Sequence, residues 1–154
     1  MADDAMVRGL VEHNRIAGVI NTLFLATDAR DWVRVTGCFA PTVTFDMTSL
    51  AGGVPQQMSP EQIVSGWQAG LKPIDAIHHQ VGNLAIASTG AEATASCYGI
   101  AYHYRRTSTG RNTRVFVGSY DFHLLHDEEW RIDLFRFNLR FVDGNLELEK
   151  EASA

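Results

Sequence analysis

Two residues of the sequence, Asp28 and His79, have side chains that could work together as an acid–base pair. His79 is two positions from Ile77 and from Val81, so in a β-strand it shares a face with two apolar side chains. A histidine on such a face needs a polar partner, and Asp28 is a candidate because it lies at the junction of two predicted helices. A carboxylate bound to the ring would fix one tautomer and make His79 a general base near neutral pH.

The same residues also fit a purely structural interpretation. Thr27 or Asp28 can cap a second short helix, because a side-chain oxygen there can accept free backbone N–H groups, and His79 can be a core histidine with a local partner. Spacing alone favours this second interpretation. Geometry separates the two, because a working pair requires a carboxylate oxygen within roughly 2.6 to 3.2 Å of a ring nitrogen beside an open cavity.

Other polar residues are candidates for the same cavity. His103 is at the end of a strand face composed of small residues and is the third catalytic candidate. Ser119 and Asp121 share a face of the following strand, where they could contact a substrate. A buried aspartate must be paired or protonated, so an ion pair of Asp121 with Arg136 or Arg140 fits equally well.

Metal, nucleotide and thiol chemistries find no support. His78 and His79 are adjacent, and adjacent strand residues point to opposite faces, so we predict no metal site. The sequence has no phosphate-binding glycine motif, and we predict no cofactor. Cys38 and Cys97 both lie in apolar segments, which is typical of small buried residues and not of a disulfide framework.

The first half of the chain is predicted to be mainly helical. Apolar spacings of three and four over residues 6–25 predict an amphipathic helix. A second short helix would contain Trp32, Val35 and Phe39 and end at Pro41. A strand over 42–47 and a loop over 52–55 follow, and the run Ser59-Pro60-Glu61-Gln62 predicts the start of a third helix through a capping box.

Residues 74–142 are predicted to form four long strands, separated by turns at 89–90, 107–110 and 127–128. In the second of these strands one face has only small residues before His103, which leaves room for a cavity. Helices followed by strands predict an α+β fold, with the N-terminal helices packed on a strongly curved, mixed and mostly antiparallel sheet that encloses a pocket.

The whole chain has 154 residues, 45% hydrophobic and 20% charged, which predicts one globular domain over 1–154 with a core at 5–142 and a charged tail at 143–154. The net charge is −5 and no basic run occurs, so we expect neither nucleic acid nor a membrane as partner. The acidic N-terminus and the lack of a long apolar run favour a cytoplasmic location.

Three segments together resemble scytalone dehydratase and the wider SnoaL-like group of the nuclear transport factor 2 superfamily. They are Asp28-Ala29-Arg30-Asp31-Trp32, then Cys38-Phe39-Ala40-Pro41 with Phe45-Asp46, and finally His79-Gln80-Val81-Gly82. The resemblance covers roughly residues 5–142 in element order. It implies a cone-like α+β barrel that often assembles as a homodimer or homotrimer.

The resemblance also implies roles for individual residues. His79 matches the histidine that removes a proton next to a carbonyl, and Asp28 matches the aspartate that orients it. His103 is near a second pocket histidine, and Ser119 and Asp121 fall where the dehydratase has a serine and an asparagine. Two tyrosines that position a water are replaced by Thr27 and Met47, which argues against scytalone as the substrate. We expect the substrate-contacting residues to be Thr27, Met47, Phe24, Trp67, Ser119 and Asp121.

Three functions are compatible with these observations. The first is a cofactor-independent lyase or isomerase that uses an Asp–His general-base pair on a small hydrophobic, cyclic or aromatic molecule. The second is a non-catalytic ligand-binding or assembly domain of the same fold. The third is an accessory subunit like the β-subunit of ring-hydroxylating dioxygenases, which would require a stable partner subunit.

Overall fold

A computed structural model describes residues 2–154 and contains four helices and six strands within them. The helices are α1 (Ala2–Asp28), α2 (Trp32–Gly37), α3 (Thr48–Ala51) and α4 (Pro60–Leu71). The strands are β1 (Phe39–Asp46), β2 (Gln56–Met58), β3 (Ala76–Ser88), β4 (Glu92–Tyr104), β5 (Thr113–His126) and β6 (Trp130–Gly144). None of the helices in this part of the chain is long and apolar enough to cross a membrane.

Helix α1 is longer than the predicted segment 6–25 and packs on the sheet through its second half. Ile16, Ile20 and Leu23 are fully buried against the core. By contrast, Met6 and Leu10 are exposed, although the sequence pattern places them on the same apolar face. The packing of α1 therefore fixes the end of the helix, where Asp28 lies.

The prediction for the second helix was wrong at both ends. The cap of α2 is Asp31, whose carboxylate accepts from the backbone N–H of Arg34, so neither Thr27 nor Asp28 has that role. Phe39 and Pro41 belong to β1, because the helix ends at Gly37. The pairing of β1 with β6 shifts register after Phe39, and such an irregularity accommodates a proline that has no backbone N–H.

The predicted start of α4 is confirmed in detail. The Ser59 hydroxyl accepts from the backbone N–H of Gln62, while the Gln62 side chain accepts from the backbone N–H of Ser59. Pro60 occupies the first turn, where its missing N–H has no cost. These contacts set the angle at which α4 covers one side of the sheet.

The strands form one six-stranded sheet in the order β2-β1-β6-β5-β4-β3. Every pairing is antiparallel except that of β1 with β6, so the predicted α+β fold with a mixed, mostly antiparallel sheet is confirmed. The sheet is cone-like but does not close into a barrel. The small face of β4 is buried as predicted, whereas Tyr98 and Tyr102 lie exposed on the other face.

Residues 145–154 pack against the ends of the strands. Leu148 is fully buried with Ile74 and Ile77, and the Arg105 guanidinium donates to the carbonyls of Leu148 and Glu149. The predicted charged tail is therefore packed on the strands, and two of its residues, Leu146 and Glu149, line a cavity.

Candidate functional site

A cavity of about 500 Å³ lies between α1, α4, the inner face of the sheet and the C-terminal segment. Most of its wall is apolar. Six aromatic rings contribute to it, those of Phe24, Trp67, Phe116, Tyr120, Phe135 and Phe137. Its polar side chains are few and include His79, His103, Arg114 and Glu149. A cavity of this size and polarity suits a small, largely apolar molecule that is oriented by a few polar contacts.

Asp28 and His79 meet at this cavity. Asp28 is the last residue of α1, and its Oδ1 lies 2.6 Å from Nδ1 of His79 in β3. Its second oxygen, Oδ2, accepts from the backbone N–H of His79 at 2.8 Å. The two side chains are 17% and 13% exposed, so water weakens this contact little. The distance meets the requirement for a working acid–base pair.

This geometry assigns the protons of the His79 ring. An ionised carboxylate can only accept hydrogen bonds, so Nδ1 carries the hydrogen that points to Asp28. Nε2 then has the free lone pair, and it makes no hydrogen bond with another described residue. Since His79 lines the cavity, this lone pair is available to a bound molecule. The pair can therefore accept a proton from a bound molecule and stabilise the imidazolium that forms.

The turn after α1 holds Asp28 in place. Arg30 adopts a left-handed backbone conformation with φ 56°, and its guanidinium donates to the carbonyl of Leu71 at 3.0 Å and to that of Ile74. On the cavity side, the ring of Phe24 packs on the His79 imidazole with centroids 5.2 Å apart. The Asp28–His79 pair is thus held in place by a helix end, a hydrogen-bonded turn and an aromatic ring.

His103 lines the same cavity in a different electrostatic setting. Its Nδ1 is 3.4 Å from the guanidinium of Arg114, its neighbour on β5, and its ring packs edge-on against Phe116. Burial is the main cause that lowers the pKa of His103 to about 4, and the positive charge of Arg114 adds to it. The imidazole of His103 is therefore neutral at neutral pH.

Tyr120 also lines the cavity, although it is not among the residues predicted from the sequence to contact a substrate. Its ring lines the cavity and packs at a tilt of 58° against Phe24, with ring centroids 4.8 Å apart. Its hydroxyl forms no hydrogen bond with any other described residue. A Cβ on Gly99 would lie 2.2 Å from the Tyr120 ring, so the glycine makes room for it. A signal for this residue was available, because Tyr120 directly faces the small residue Cys97 on the neighbouring strand.

Four of the predicted substrate-contacting residues line the cavity: Thr27, Met47, Phe24 and Trp67. The Thr27 hydroxyl is committed to the α1 backbone, because it donates to the carbonyl of Leu23 at 2.7 Å. Met47 contributes only a thioether. Neither residue therefore provides the donor that a tyrosine would provide at the same place.

Ser119 and Asp121 do not contact this cavity, so that prediction is corrected. They alternate with Tyr120, which faces inward, and so point to the outer face of the sheet. The Asn138 amide donates to the Asp121 carboxylate at 2.8 Å. The alternative ion pair with Arg136 or Arg140 is also absent from the described contacts, since Arg136 donates to Asp46 at 2.8 Å and Arg140 lies over the ring of Tyr98.

A second aspartate–histidine pair lies on the outer face. His123 and Asp133 have an Nδ1–Oδ1 distance of 2.6 Å, equal to that of the cavity pair. Their side chains are 30% and 25% exposed, and neither residue lines the cavity. This pair has similar hydrogen bonding without an enclosed site, which makes it a matched control for the first.

The SnoaL-like domain family model matches residues 10–136 of the chain. No curated protein matches the sequence. Among solved structures, the Kfla4162 protein from Kribbella flavida has 16% identity and a TM-score of 0.86, covering 92% of this chain and 99% of that one.

Two further structures are similar in fold. A proposed scytalone dehydratase from Novosphingobium aromaticivorans DSM 12444 has 14% identity and a TM-score of 0.75, covering 94% of this chain and 92% of its own. The hexachlorocyclohexane dehydrochlorinase LinA-type3 from Novosphingobium barchaimii LL02 has 10% identity and a TM-score of 0.73, covering 91% and 94%. At these identities the likeness establishes a common fold and not a common substrate.

Proposed function

The chain belongs to the SnoaL-like domain family, and we propose that it is a lyase or isomerase acting on a small hydrophobic, cyclic or aromatic molecule. The observation that carries this proposal is the Asp28–His79 contact at 2.6 Å, with the second ring nitrogen of His79 left free beside the cavity. Two proteins with a similar fold are named as a dehydratase and a dehydrochlorinase. Reactions of both kinds remove a hydrogen atom that is bound to carbon.

In the proposed reaction His79 is the general base. Its Nε2 takes a proton from a carbon atom of the substrate, and the Asp28 carboxylate stabilises the resulting imidazolium through Nδ1. The electron pair of the broken C–H bond forms a double bond. In an elimination the leaving group departs with the electrons of its bond to carbon, either as halide or as hydroxide that takes the proton from the His79 imidazolium and leaves as water. In an isomerisation the imidazolium returns its proton to another carbon.

Tyr120 is the proposed hydrogen-bond donor to the substrate. Its hydroxyl is free, and burial raises the pKa of the phenol, so it keeps its proton at neutral pH. A protonated phenol can stabilise negative charge that develops on a carbonyl oxygen or on a leaving hydroxyl group. Because Thr27 and Met47 lack that capacity, Tyr120 would take over the part that tyrosines play at those two positions in scytalone dehydratase.

The aromatic wall of the cavity favours one class of substrate. Trp67, Phe135 and Phe137 offer ring faces and edges, while the neighbouring Met47 and Leu50 are aliphatic. A flat, apolar ring gains most from such a surface, and a single oxygen or halogen substituent would suffice for orientation. Scytalone itself is therefore a poor candidate, because several hydroxyl groups would be buried without partners.

The test is a screen of cyclic ketones, hydroxylated aromatic compounds and halogenated rings in D₂O. We expect deuterium uptake, water loss or halide loss for at least one class with the native protein and with His123→Asn. His79→Asn should lose that activity. Equal rates for native protein and His79→Asn would refute the proposal, and ligand binding without turnover across all classes would favour a non-catalytic binding domain.

A further inference from the structure

The mechanism above leaves His103, Arg114 and Glu149 without a function, although all three line the cavity. His103 in β4 lies opposite Arg114 in β5, and it lies opposite Ile77 in β3, two residues from His79. Side chains at such diagonal positions on one sheet face are within reach of the same small ligand. The site therefore contains two histidines on one wall.

The contact between Arg114 and His103 has only one possible direction. A guanidinium group has donors and no acceptor, so the Arg114 N–H donates and Nδ1 of His103 accepts, at a distance of 3.4 Å. A neutral imidazole that accepts at one nitrogen carries its hydrogen on the other. The Nε2 of His103 therefore carries the hydrogen. This nitrogen makes no hydrogen bond with another described residue and is not buried, and since His103 lines the cavity, Nε2 is open to it.

We infer that Arg114 is a positioning residue, which fixes His103 as the Nε2–H tautomer, so that of the two cavity histidines His79 is the base and His103 is a neutral donor beside the Tyr120 hydroxyl. The inference rests on the proposed function where it concerns the ligand. It narrows the substrate class to molecules that have an acceptor oxygen, a carbonyl or a hydroxyl group, close to the acidic carbon. The two histidines have opposite roles because Nδ1 of His79 contacts a carboxylate, whereas Nδ1 of His103 contacts a guanidinium.

The surroundings of His103 keep it neutral. Burial and the charge of Arg114 both disfavour a second proton, and His79 adds to this effect, whereas Glu149 and Asp28 act in the opposite direction. The disfavouring groups prevail, since the pKa of His103 is lowered to about 4. His103 therefore remains an uncharged donor at neutral pH.

Glu149 keeps Arg114 in position. Its carboxylate accepts two hydrogen bonds from the guanidinium, one of them at 2.8 Å from Nη1. Glu149 is held in turn because Arg105 donates to its backbone carbonyl at 2.7 Å. The C-terminal segment thus supplies a contact to Arg114 from 35 residues away in sequence. The ion pair also compensates the charge of Arg114 in the cavity wall.

Nuclear magnetic resonance of the full chain with ¹⁵N-labelled histidine tests the inference without a substrate. We expect the His103 resonances at pH 7 to show an unprotonated Nδ1 and a protonated Nε2. The His103 signals should not titrate until the pH falls well below 6.5, the ordinary pKa of histidine, towards about 4. An Nδ1–H tautomer of His103, or titration near the ordinary pKa, would overturn the inference even if the enzyme is active.

Three variants separate the effect of Arg114 from that of Glu149. Arg114→Gln should raise the His103 pKa by about one unit or more towards its ordinary value and mix its tautomers. In Glu149→Gln the amide oxygen can still accept a hydrogen bond from Arg114 and hold it near His103, so the Nε2–H tautomer should persist, and the His103 pKa should stay or fall because a raising charge is removed. The double variant Arg114→Gln/Glu149→Gln should still show a raised pKa, because the arginine effect is the larger one.

The control is Arg111→Gln, which removes an exposed arginine from the turn before β5 and should leave the His103 signals unchanged. If Arg114→Gln does not fold, Glu149→Gln alone remains decisive, because a rise in the His103 pKa in that variant contradicts the assignment. An unchanged tautomer and pKa in folded Arg114→Gln would also contradict it.

Discussion

The carboxylate of Asp28 binds His79 twice, through the ring Nδ1 at 2.6 Å and through the backbone N–H at 2.8 Å. One carboxylate thereby fixes both the position of the β3 backbone and the orientation of the imidazole. The end of a helix and the start of a long strand are joined across 51 residues of sequence by these two contacts. The pair is therefore both a structural link and the proposed chemical centre.

Asp28→Asn should reduce activity on the order of 10²-fold or more, because an amide cannot stabilise the imidazolium in the same way. The free energy of unfolding should also decrease by about 1–3 kcal/mol, since buried hydrogen-bonding groups of His79 lose a charged partner. Turnover assays and urea unfolding measure the two effects. Asp133→Asn, in the outer pair, should leave turnover unchanged. Full activity in Asp28→Asn would contradict the assigned role.

Tyr120→Phe should reduce turnover while leaving the fold intact. The hydroxyl has no protein partner to lose, so we expect the free energy of unfolding to change by less than about 1 kcal/mol. The catalytic rate should fall more than the affinity for substrate, because the donor acts on charge that develops during the reaction. Steady-state kinetics with a substrate from the screen would show this. A variant with native rates would exclude Tyr120 as the donor.

Gly99→Ala should destabilise the protein by about 1–3 kcal/mol, because the added methyl group overlaps the Tyr120 ring. Cavity binding should weaken as well, because the Tyr120 ring lines the cavity and must shift to accommodate the methyl group. Thermal unfolding and ligand titration are the measurements. Gly9→Ala is the matched control, because no atom lies within 4 Å of its added Cβ and alanine favours a helix. Equal stability of Gly99→Ala and the native protein would show that Tyr120 is not packed as described.

His103 should make the protein less stable in mild acid. Its pKa is about 4 in the folded chain and 6.5 in the unfolded chain, so the unfolded chain binds the proton first as the pH falls. The part of the free energy of unfolding that depends on neutral His103 is fully present above pH 6.5. It decreases between pH 6.5 and about 4 and is constant at lower pH, and the total decrease is about 3 kcal/mol.

Urea unfolding at several pH values measures this slope. His103→Gln should flatten the profile between pH 6.5 and 4, whereas His78→Gln, which changes an exposed histidine, should retain it. Parallel profiles for native protein and His103→Gln would mean that His103 is not kept neutral by the fold.

The sequence predicted the fold class and named both residues of the central pair, although spacing alone favoured a structural role for them. Periodicity placed His79 on an inward strand face, and the apolar pattern of the first helix ends just before Asp28, the last residue of α1. The rules for helix ends failed where a helix and a strand compete for the same residues. Residues 37–41 were assigned to a helix ending at Pro41, yet the strand pairing of Phe39 with β6 prevails there.

The remaining errors arise from contacts that periodicity does not encode. Strand β5 is apolar on both faces, with Val115 and Val117 on one and Phe116 and Tyr120 on the other, so a period of two could not show which face is inside. The position of Glu149 depends on how the C-terminal segment returns to Arg114, and no local signal predicts that return. Both are properties of the assembled sheet.

The central claim is that the free nitrogen of His79 removes a carbon-bound proton. Chemical rescue measures this directly: deuterium exchange into a substrate is followed with native protein, His79→Ala and His79→Ala supplied with imidazole. We expect His79→Ala to lose about 10²–10⁴-fold in rate, and imidazole to restore part of it by entering the space left by the ring. Equal rates for native protein and His79→Ala would contradict the claim.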